Sequence, residues 1–392
     1  MRTVAAPIRG RAGFFLRWRT LAGVGLAMML HDKLKLLGTL AGVVFAVLLS
    51  NQQVGTFLGL IYKNEMYVVN AGADIFIAPQ GTEAFQAGKP IPETTVVQAR
   101  VVPGVAWAEP LLFGASTIVL PNGGAEAVSV VGTKAPDLRG GPWNVVVGDP
   151  AALRLPDVMF FETADRAKYG GLNVGSVREL GGKKVVVGGF TWGLLPFGPS
   201  YAFADYALAQ QILRVPADQT SFGLVGVAPG EDPARVAAGL RERLADVTVM
   251  TRDAYRASIL RYILVRTSIG LTLGISALFG LVIGFVIVAL TMFSAVLDNV
   301  REFGTLKAIG ATTRDLSRLL VVQAVLYALS GSLIGLALVH FVADRIRSPQ
   351  LALVLPWQLS VGTVAVMIVM CVFASGLALL RLRSVEPGMV FR

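Results

Sequence analysis

Four long apolar stretches divide the chain: about Leu36 to Tyr62, Ile269 to Leu297, Leu316 to Val342 and Leu359 to Leu382. Each reaches the ~20 residues that a helix needs to cross a ~30 Å hydrocarbon core. Four such runs with almost no internal charge do not fit a soluble core. They predict transmembrane helices over 36–62, 263–297, 316–343 and 359–383. Some 35 residues precede the first run and no A-x-A site follows it directly, so it does not read as a cleavable signal peptide. Helical character continues past the first span through Glu65 to Val69, and the second pattern already begins near Ala254. As one helix, residues 254–297 extend about 66 Å at 1.5 Å per residue, far more than a bilayer core needs. That length predicts a stalk carrying whatever lies between the first two spans.

Between those spans the hydrophobic period changes from helical to alternating. Strand patterns fall at Ala73–Ala78, Ser116–Leu120, Ala127–Gly132, Asn144–Val147, Asp157–Phe161, Lys184–Phe190 and Ser221–Val227. Pro121-Asn122-Gly123-Gly124, Gly140-Gly141-Pro142 and Gly181-Gly182 supply turns between them. Helical patterns fit Thr94–Val101, Asp205–Leu213 and Asp232–Leu244, the last with Asp232 as N-cap and Pro233 at the first helical position. The expected fold is a membrane protein with four transmembrane α-helices and a large α+β extracytoplasmic domain over 63–262. Two lobes are expected in that domain, with a seam near residues 135–150.

Composition agrees with a membrane protein. The 392 residues are 54% hydrophobic and only 15% charged, against roughly 25% charged in soluble domains. The net charge of +10 would suggest nucleic acid in a soluble chain, but here its placement decides. Residues 1–35 hold seven Lys/Arg against one acid, 298–318 four against three, and 381–392 three against one. Residues 61–262 hold 18 basic and 19 acidic residues. The positive-inside rule therefore predicts a cytoplasmic leader over 1–35, a cytoplasmic loop over 298–315 and a cytoplasmic tail over 384–392. The 63–262 domain and the 344–358 loop fall on the other side. Within the leader, Phe14, Trp18, Leu21, Gly25 and Met29 share one face of an amphipathic helix, with Arg11, Arg17, Arg19, Lys33 and Lys35 as cationic heads. The basic charge thus reflects membrane topology, and no nucleic acid is expected.

Candidate chemistry is sparse. Cys371 is the single cysteine and His31 and His340 the two histidines, so no disulfide framework, Cys nucleophile or histidine metal site is expected, and neither a metal nor a catalytic residue is assigned. Asp157, Glu162 and Asp165 read as solvated or capping carboxylates. Phe190, Trp192, Leu194, Leu195, Pro196 and Phe197 form an apolar run among glycines; Phe190, Trp192, Leu195 and Phe197 are candidates for substrate or adaptor contact, with core packing the alternative. Polar residues in or near the spans are Asn51, Gln52, Gln53, Arg266 and His340. Ionisable groups are nearly absent at mid-depth, which disfavours a charged solute path. The pairs Gly38/Gly42, Gly270/Gly274, Gly280/Gly284 and Gly331/Gly335 allow close helix packing.

The most specific segment is DNVREFGTLKAIGATTRD, Asp298–Asp315. It suits a short amphipathic helix along the membrane face, with Phe303, Leu306 and Ile309 as apolar knobs and Arg301, Glu302 and Lys307 for polar contacts. With the C-terminal SVEPGMVFR it resembles the FtsX/MacB-type permease family of ABC transporters. In that family the segment is the coupling helix that docks into the ATPase subunit. Glu302, Gly304, Leu306, Lys307, Ala308, Gly310 and Ala311 match its motif; Arg301 and Phe303 lie within it. The stretches LPDVMFFETADRAKYG, KKVVVGGFTWG and PSYAFADYALAQQIL resemble the DevC-like branch, whose best-known members export glycolipids with a periplasmic adaptor.

The resemblance implies a MacB-like periplasmic domain in a multi-pass inner-membrane permease of the mechanotransmission type, with cytoplasmic termini and no enzymatic activity of its own. No G-x-x-x-x-G-K-[ST] phosphate loop occurs, so ATP and Mg are expected on a separate ATP-binding subunit. The other implied partners are a second copy of the chain, a membrane-fusion adaptor protein, a TolC-like outer-membrane channel and the lipid bilayer. A lipid-like or hydrophobic cargo is expected. Two alternatives stay open: an FtsX-like regulator of a cell-envelope hydrolase that does not transport, and a haem- or lipoprotein-handling member of the same family.

Overall fold

The computed structural model describes residues 33–86, 88–196, 198–298, 312–346 and 353–382, with isolated positions 23, 26 and 30. The chain divides into two units, one built on Gly59–Leu271 and the other on the helical stretches through Leu58, from Thr272 and from Leu353.

Four described helices are long and apolar enough to cross a membrane: α1 (Lys33–Asn70), α6 (Ser268–Asp298), α7 (Thr313–Ile346) and α8 (Trp357–Leu382). In the helical unit α1 is central. Thr39, Val43, Ala46, Val47, Ser50 and Asn51 recur at helical spacing and are all buried. Gly284 of α6 sits against Ala46, while Gly331 and Gly335 of α7 sit against Val43 and Val47. The α8 side is joined through Asn51 and Thr363 and through the Val354 amide, which donates to the Gly55 carbonyl at 3.1 Å. Contacts advance in the same direction along α1 and α7 and in opposite directions along α1 and α6, as the alternating helix order requires.

The Gly59–Leu271 unit is α+β. Its strands are β1 (Ile75–Pro79), β2 (Ile91–Pro92), β3 (Val105–Val119), β4 (Ala125–Thr133), β5 (Val145–Val147), β6 (Val158–Glu162), β7 (Val177–Leu180), β8 (Lys183–Thr191), β9 (Tyr201–Asp205), β10 (Gln219–Thr220), β11 (Phe222–Val227) and β12 (Val247–Thr251). Its helices are α2 (Glu93–Ala99), α3 (Tyr206–Leu213), α4 (Pro233–Arg243) and α5 (Arg252–Arg261). Side-chain caps set three helix starts: Asp205 accepts from the Ala207 amide, Asp232 from Ala234 and Thr251 from Ala254. Gly181 and Gly182, both at positive φ, make the tight β7–β8 turn.

The first lobe is a split β-α-β arrangement: β1, α2, β3, β11, α4 and β12 follow in chain order, and the strands lie in the order β12-β1-β11-β3, all antiparallel. Ile75, Ile77, Val96, Val225, Val236 and Leu240 form its core. The second lobe is inserted between β3 and β11. From β3 the sheet continues through β4, β9, β6 and β8; β7 then pairs with both β8 and β3, closing the path at Ile118 opposite Leu180. This ring of strands and α3 enclose Val128, Val130, Met159, Phe161, Leu180, Val187 and Phe190.

The seam expected near residues 135–150 is therefore elsewhere. The fifteen-residue β3 belongs to both lobes, its first half lining one core and its second half the other. The expected single helix over 254–297 is also corrected. α5 ends at Arg261, a π-helical turn covers Tyr262–Arg266, and Thr267 is extended at φ −96° and ψ 141° before α6 begins. The carbonyl of Ile263 accepts from the Thr267 hydroxyl at 2.6 Å, and the Thr267 amide reaches back to Tyr262. Local helical periodicity runs straight through this point; the side-chain bond back to the preceding turn holds the break.

Candidate functional site

The C-terminal end of α1 is built into the core of the α+β unit. Tyr67 is wholly buried, stacks on Phe85 at 4.3 Å between centroids and meets Trp143 and Tyr201 edge-on, each at 5.8 Å. Phe85 continues the cluster to Phe113 and Phe222, and Trp143 to Phe203. Residues from both lobes thus share one aromatic cluster with the end of a helix. The Tyr67 hydroxyl donates to the Gly140 carbonyl at 2.7 Å.

The return of the chain toward α6 is pinned beside it. Arg256 Nε donates to Glu65 at 2.7 Å, and Tyr255 meets Phe76 edge-on. Arg252 binds the Ala73 carbonyl and Asp74, while Asp74 also accepts from the Val227 amide. Burial pushes the Tyr201 and Tyr255 phenols well above the usual tyrosine range, so both stay neutral. Among the described residues, no group of three or more His, Cys, Asp or Glu is placed to hold a metal ion.

The apolar run after β8 separates into core and surface. Phe190, Leu194 and Leu195 are buried, so exposure is not available for the first and last of these contact candidates. Trp192 is 47% exposed, and Phe197 lies outside the described residues. Glu162, read from sequence as solvated or capping, is wholly buried. It accepts from the Gly193 and Leu194 amides at 3.0 and 2.9 Å and from the Thr191 hydroxyl at 3.0 Å, and it also caps Ala164. Burial raises its pKa while these donors oppose the rise. Asp165 is buried as well, and Asp157 sits in a turn at φ 60°. The carboxylate fixes the loop that presents Trp192; no spacing signal marks it, because its donors are backbone amides thirty residues away.

Of the helix-packing glycines, Gly42 lies against Ile287, Gly331 against Val43 and Gly335 against Val47. A side chain on Gly38 or Gly274 would meet open space, so close packing does not fall on those two. Gly270 packs instead on its own chain, where an added Cβ would lie 2.8 Å from the Ile263 carbonyl. Asn51 is buried and donates to the Val47 carbonyl at 2.8 Å, with the Thr363 hydroxyl 3.5 Å from its amide oxygen, whereas Gln52 is exposed. His340 contacts the Leu336 carbonyl of its own helix. Arg301, Glu302, Phe303, Gly304, Leu306, Lys307, Ala308, Gly310 and Ala311 lie outside the described residues, as does the amphipathic face assigned to Phe14, Trp18, Leu21, Gly25 and Met29. Beyond that segment, Thr312 and Asp315 bond reciprocally at the start of α7.

The family described as "FtsX-like permease C-terminal" matches residues 251–387. An uncharacterized ABC transporter permease of Mycobacterium bovis is 26% identical over 353 residues, covering 89% of this chain and 93% of that protein. Another, from Mycobacterium tuberculosis, is 24% identical over 329 residues, covering 83% and 86%. Among solved structures, the periplasmic region of MacB from Actinobacillus actinomycetemcomitans is 12% identical with a TM-score of 0.36, covering 48% of this chain and 94% of that one. The extracellular domain of the noncanonic ABC-type transporter YknZ from Gram-positive bacteria is 14% identical with a TM-score of 0.32, covering 46% and 99%.

Proposed function

Since the chain is an FtsX-like ABC transporter permease, we propose that it is the force-transmitting membrane subunit of an ATP-driven exporter. ATP and Mg are handled by a separate ATP-binding subunit. The observation that carries this reading is the match over 251–387, which includes the whole 298–315 segment. In the proposed cycle, closure of the ATP-binding subunits pushes on that segment from the cytoplasm. The Gly59–Leu271 unit responds on the other face of the inner membrane, with both termini cytoplasmic as the basic segments require.

A pair of permease copies satisfies the usual symmetry of such assemblies. The sparse mid-membrane charge favours a lipid-like or hydrophobic cargo over a charged solute. Such a cargo needs a receiving route, and a periplasmic adaptor with a TolC-like outer-membrane channel supplies one; the rigidly held Trp192 is the contact residue we assign to cargo or adaptor. Reconstitution of the chain with its ATP-binding subunit tests the coupling role. Glu302→Ala or Gly310→Leu is expected to lower permease-stimulated ATP hydrolysis while leaving membrane insertion intact. Full stimulation in both variants would remove the coupling role from the segment.

A further inference from the structure

The loop after β1 folds against the π-helical turn that precedes α6 and leaves a cavity of about 240 Å³. Gln80, Thr82, Glu83, Gln86 and Lys89 line it on one side and Tyr262 on the other. The wall is held in place: the Ser258 hydroxyl donates to the Glu83 carbonyl at 2.8 Å, and the Gly81 amide donates to Thr248 at 3.1 Å. Among the described residues the loop's ion pair is loose: Arg266 approaches Glu83 at 3.4 and 3.5 Å with its side chain 68% exposed.

Two features identify what this cavity faces. Leu264 and Val265, in the same turn, are 48% and 73% exposed, an unfavourable placement for two aliphatic side chains in water. Ser268, where α6 starts its membrane-spanning stretch, is six residues beyond Tyr262. Even a fully extended chain keeps these points within about 22 Å, and a partly helical one brings them much closer. The turn therefore lies at the interfacial layer, where Leu264 and Val265 meet acyl chains and the polar cavity beside them meets headgroups. Lys89 is the cation of the lining and Glu83 its carboxylate; Arg266, outside the lining, faces Glu83 and offsets its charge, which leaves Lys89 for a phosphate, while the glutamine amides suit hydroxyl groups. The volume is sufficient for a headgroup and too small for a whole lipid.

We propose that this cavity binds the phosphodiester headgroup of a hydroxyl-bearing phospholipid, of the phosphatidylglycerol type, from the leaflet that α6 enters. The proposal rests on α6 spanning the membrane and is independent of ATP-driven export. Native mass spectrometry of the purified full-length chain tests it, with phosphatidylglycerol, phosphatidylcholine and glycerol 3-phosphate as probes. Phosphatidylglycerol is expected to be retained in preference to phosphatidylcholine. Lys89→Glu combined with Gln86→Ala is expected to lower that retention roughly tenfold, the scale of one charge-assisted contact. Lys183→Glu, an exposed charge change at the start of β8, is expected to leave it unchanged. Both altered sites are exposed, and unfolding midpoints equal to wild type show that the fold is retained; the single Gln86→Ala variant, with a smaller loss, provides the second reading. Equal retention by the double variant and wild type would overturn the site. Displacement by glycerol 3-phosphate as effective as by the lipid would overturn the lipid assignment in favour of a soluble phosphate ester.

Discussion

The phenol of Tyr67, near the C-terminal end of a thirty-eight-residue helix, donates at 2.7 Å to the carbonyl of Gly140 in the inserted lobe of the α+β unit. Gly140 permits this approach, because at φ 75° an added Cβ would lie 2.6 Å from Leu224 and 2.7 Å from the phenol oxygen. Tyr67→Phe is expected to cost about 1 kcal/mol, the net worth of one buried hydrogen bond. Gly140→Ala is expected to cost more, roughly 2–3 kcal/mol, through the crowded contact and the left-handed backbone. Denaturant unfolding of the full chain in detergent measures both. The double variant should cost less than the sum, since each change removes the same contact.

In the helical unit the glycines are expected to respond according to what they touch. Gly331→Leu and Gly335→Leu drive side chains into Val43 and Val47 and should each destabilise the helix packing by roughly 1–3 kcal/mol. Gly274→Leu enters open space and should be near neutral. Unfolding titrations in mixed detergent micelles separate the two groups, and equal effects would show that the packing is not set by these contacts.

Glu162 gives a pH signature. Its folded-state pKa is raised by burial, so the folded state holds its proton to higher pH than the unfolded state does. Its favourable contribution is complete below the unfolded value near 4.3 and declines as pH rises through the raised folded value. The stability difference between wild type and Glu162→Gln should therefore shift against wild type across that interval. Glu162→Ala leaves the Gly193 and Leu194 amides without their acceptor and is expected to cost about 2–3 kcal/mol at low pH, and less as pH rises through that interval. Tryptophan fluorescence, followed through the adjacent Trp192, reports both effects.

The break before α6 depends on Gly270. Its Cβ position lies 2.8 Å from the Ile263 carbonyl and 3.0 Å from Leu264 Cα, so Gly270→Val must displace the π-helical turn. Faster amide exchange over 262–267 with unchanged exchange in β1, β11 and β12 is the expected result.

Much of this architecture is legible in the sequence. The four membrane helices follow from apolar length alone, and β4, β6, β8 and β11 from alternation between glycine turns. Asp205 and Asp232 mark two helix starts because capping is a local interaction. Non-local determinants are hidden. β9 and β12 have no alternation of their own against water, being held between or beside other strands. Phe190, Leu194 and Leu195 look exposed because glycines surround them, yet Glu162 folds their loop over the core. The break at Thr267 is invisible because the same residues would also fit an uninterrupted helix. The role of Tyr67 depends on aromatic partners contributed by both lobes, distant in sequence.

In the proposed cycle, nucleotide-driven motion at 298–315 is carried into the Gly59–Leu271 unit, with α1 holding firm and the 262–267 break yielding. Hydrogen exchange on the permease assembled with its ATP-binding subunit, compared with and without ATP, tests this most directly. ATP is expected to change exchange at 262–267 and around Gly140 while amides 59–70 stay protected, and Glu302→Ala to abolish the change without releasing the ATP-binding subunit. Identical exchange at 262–267 in both nucleotide states, or an undiminished change in Glu302→Ala, would contradict it.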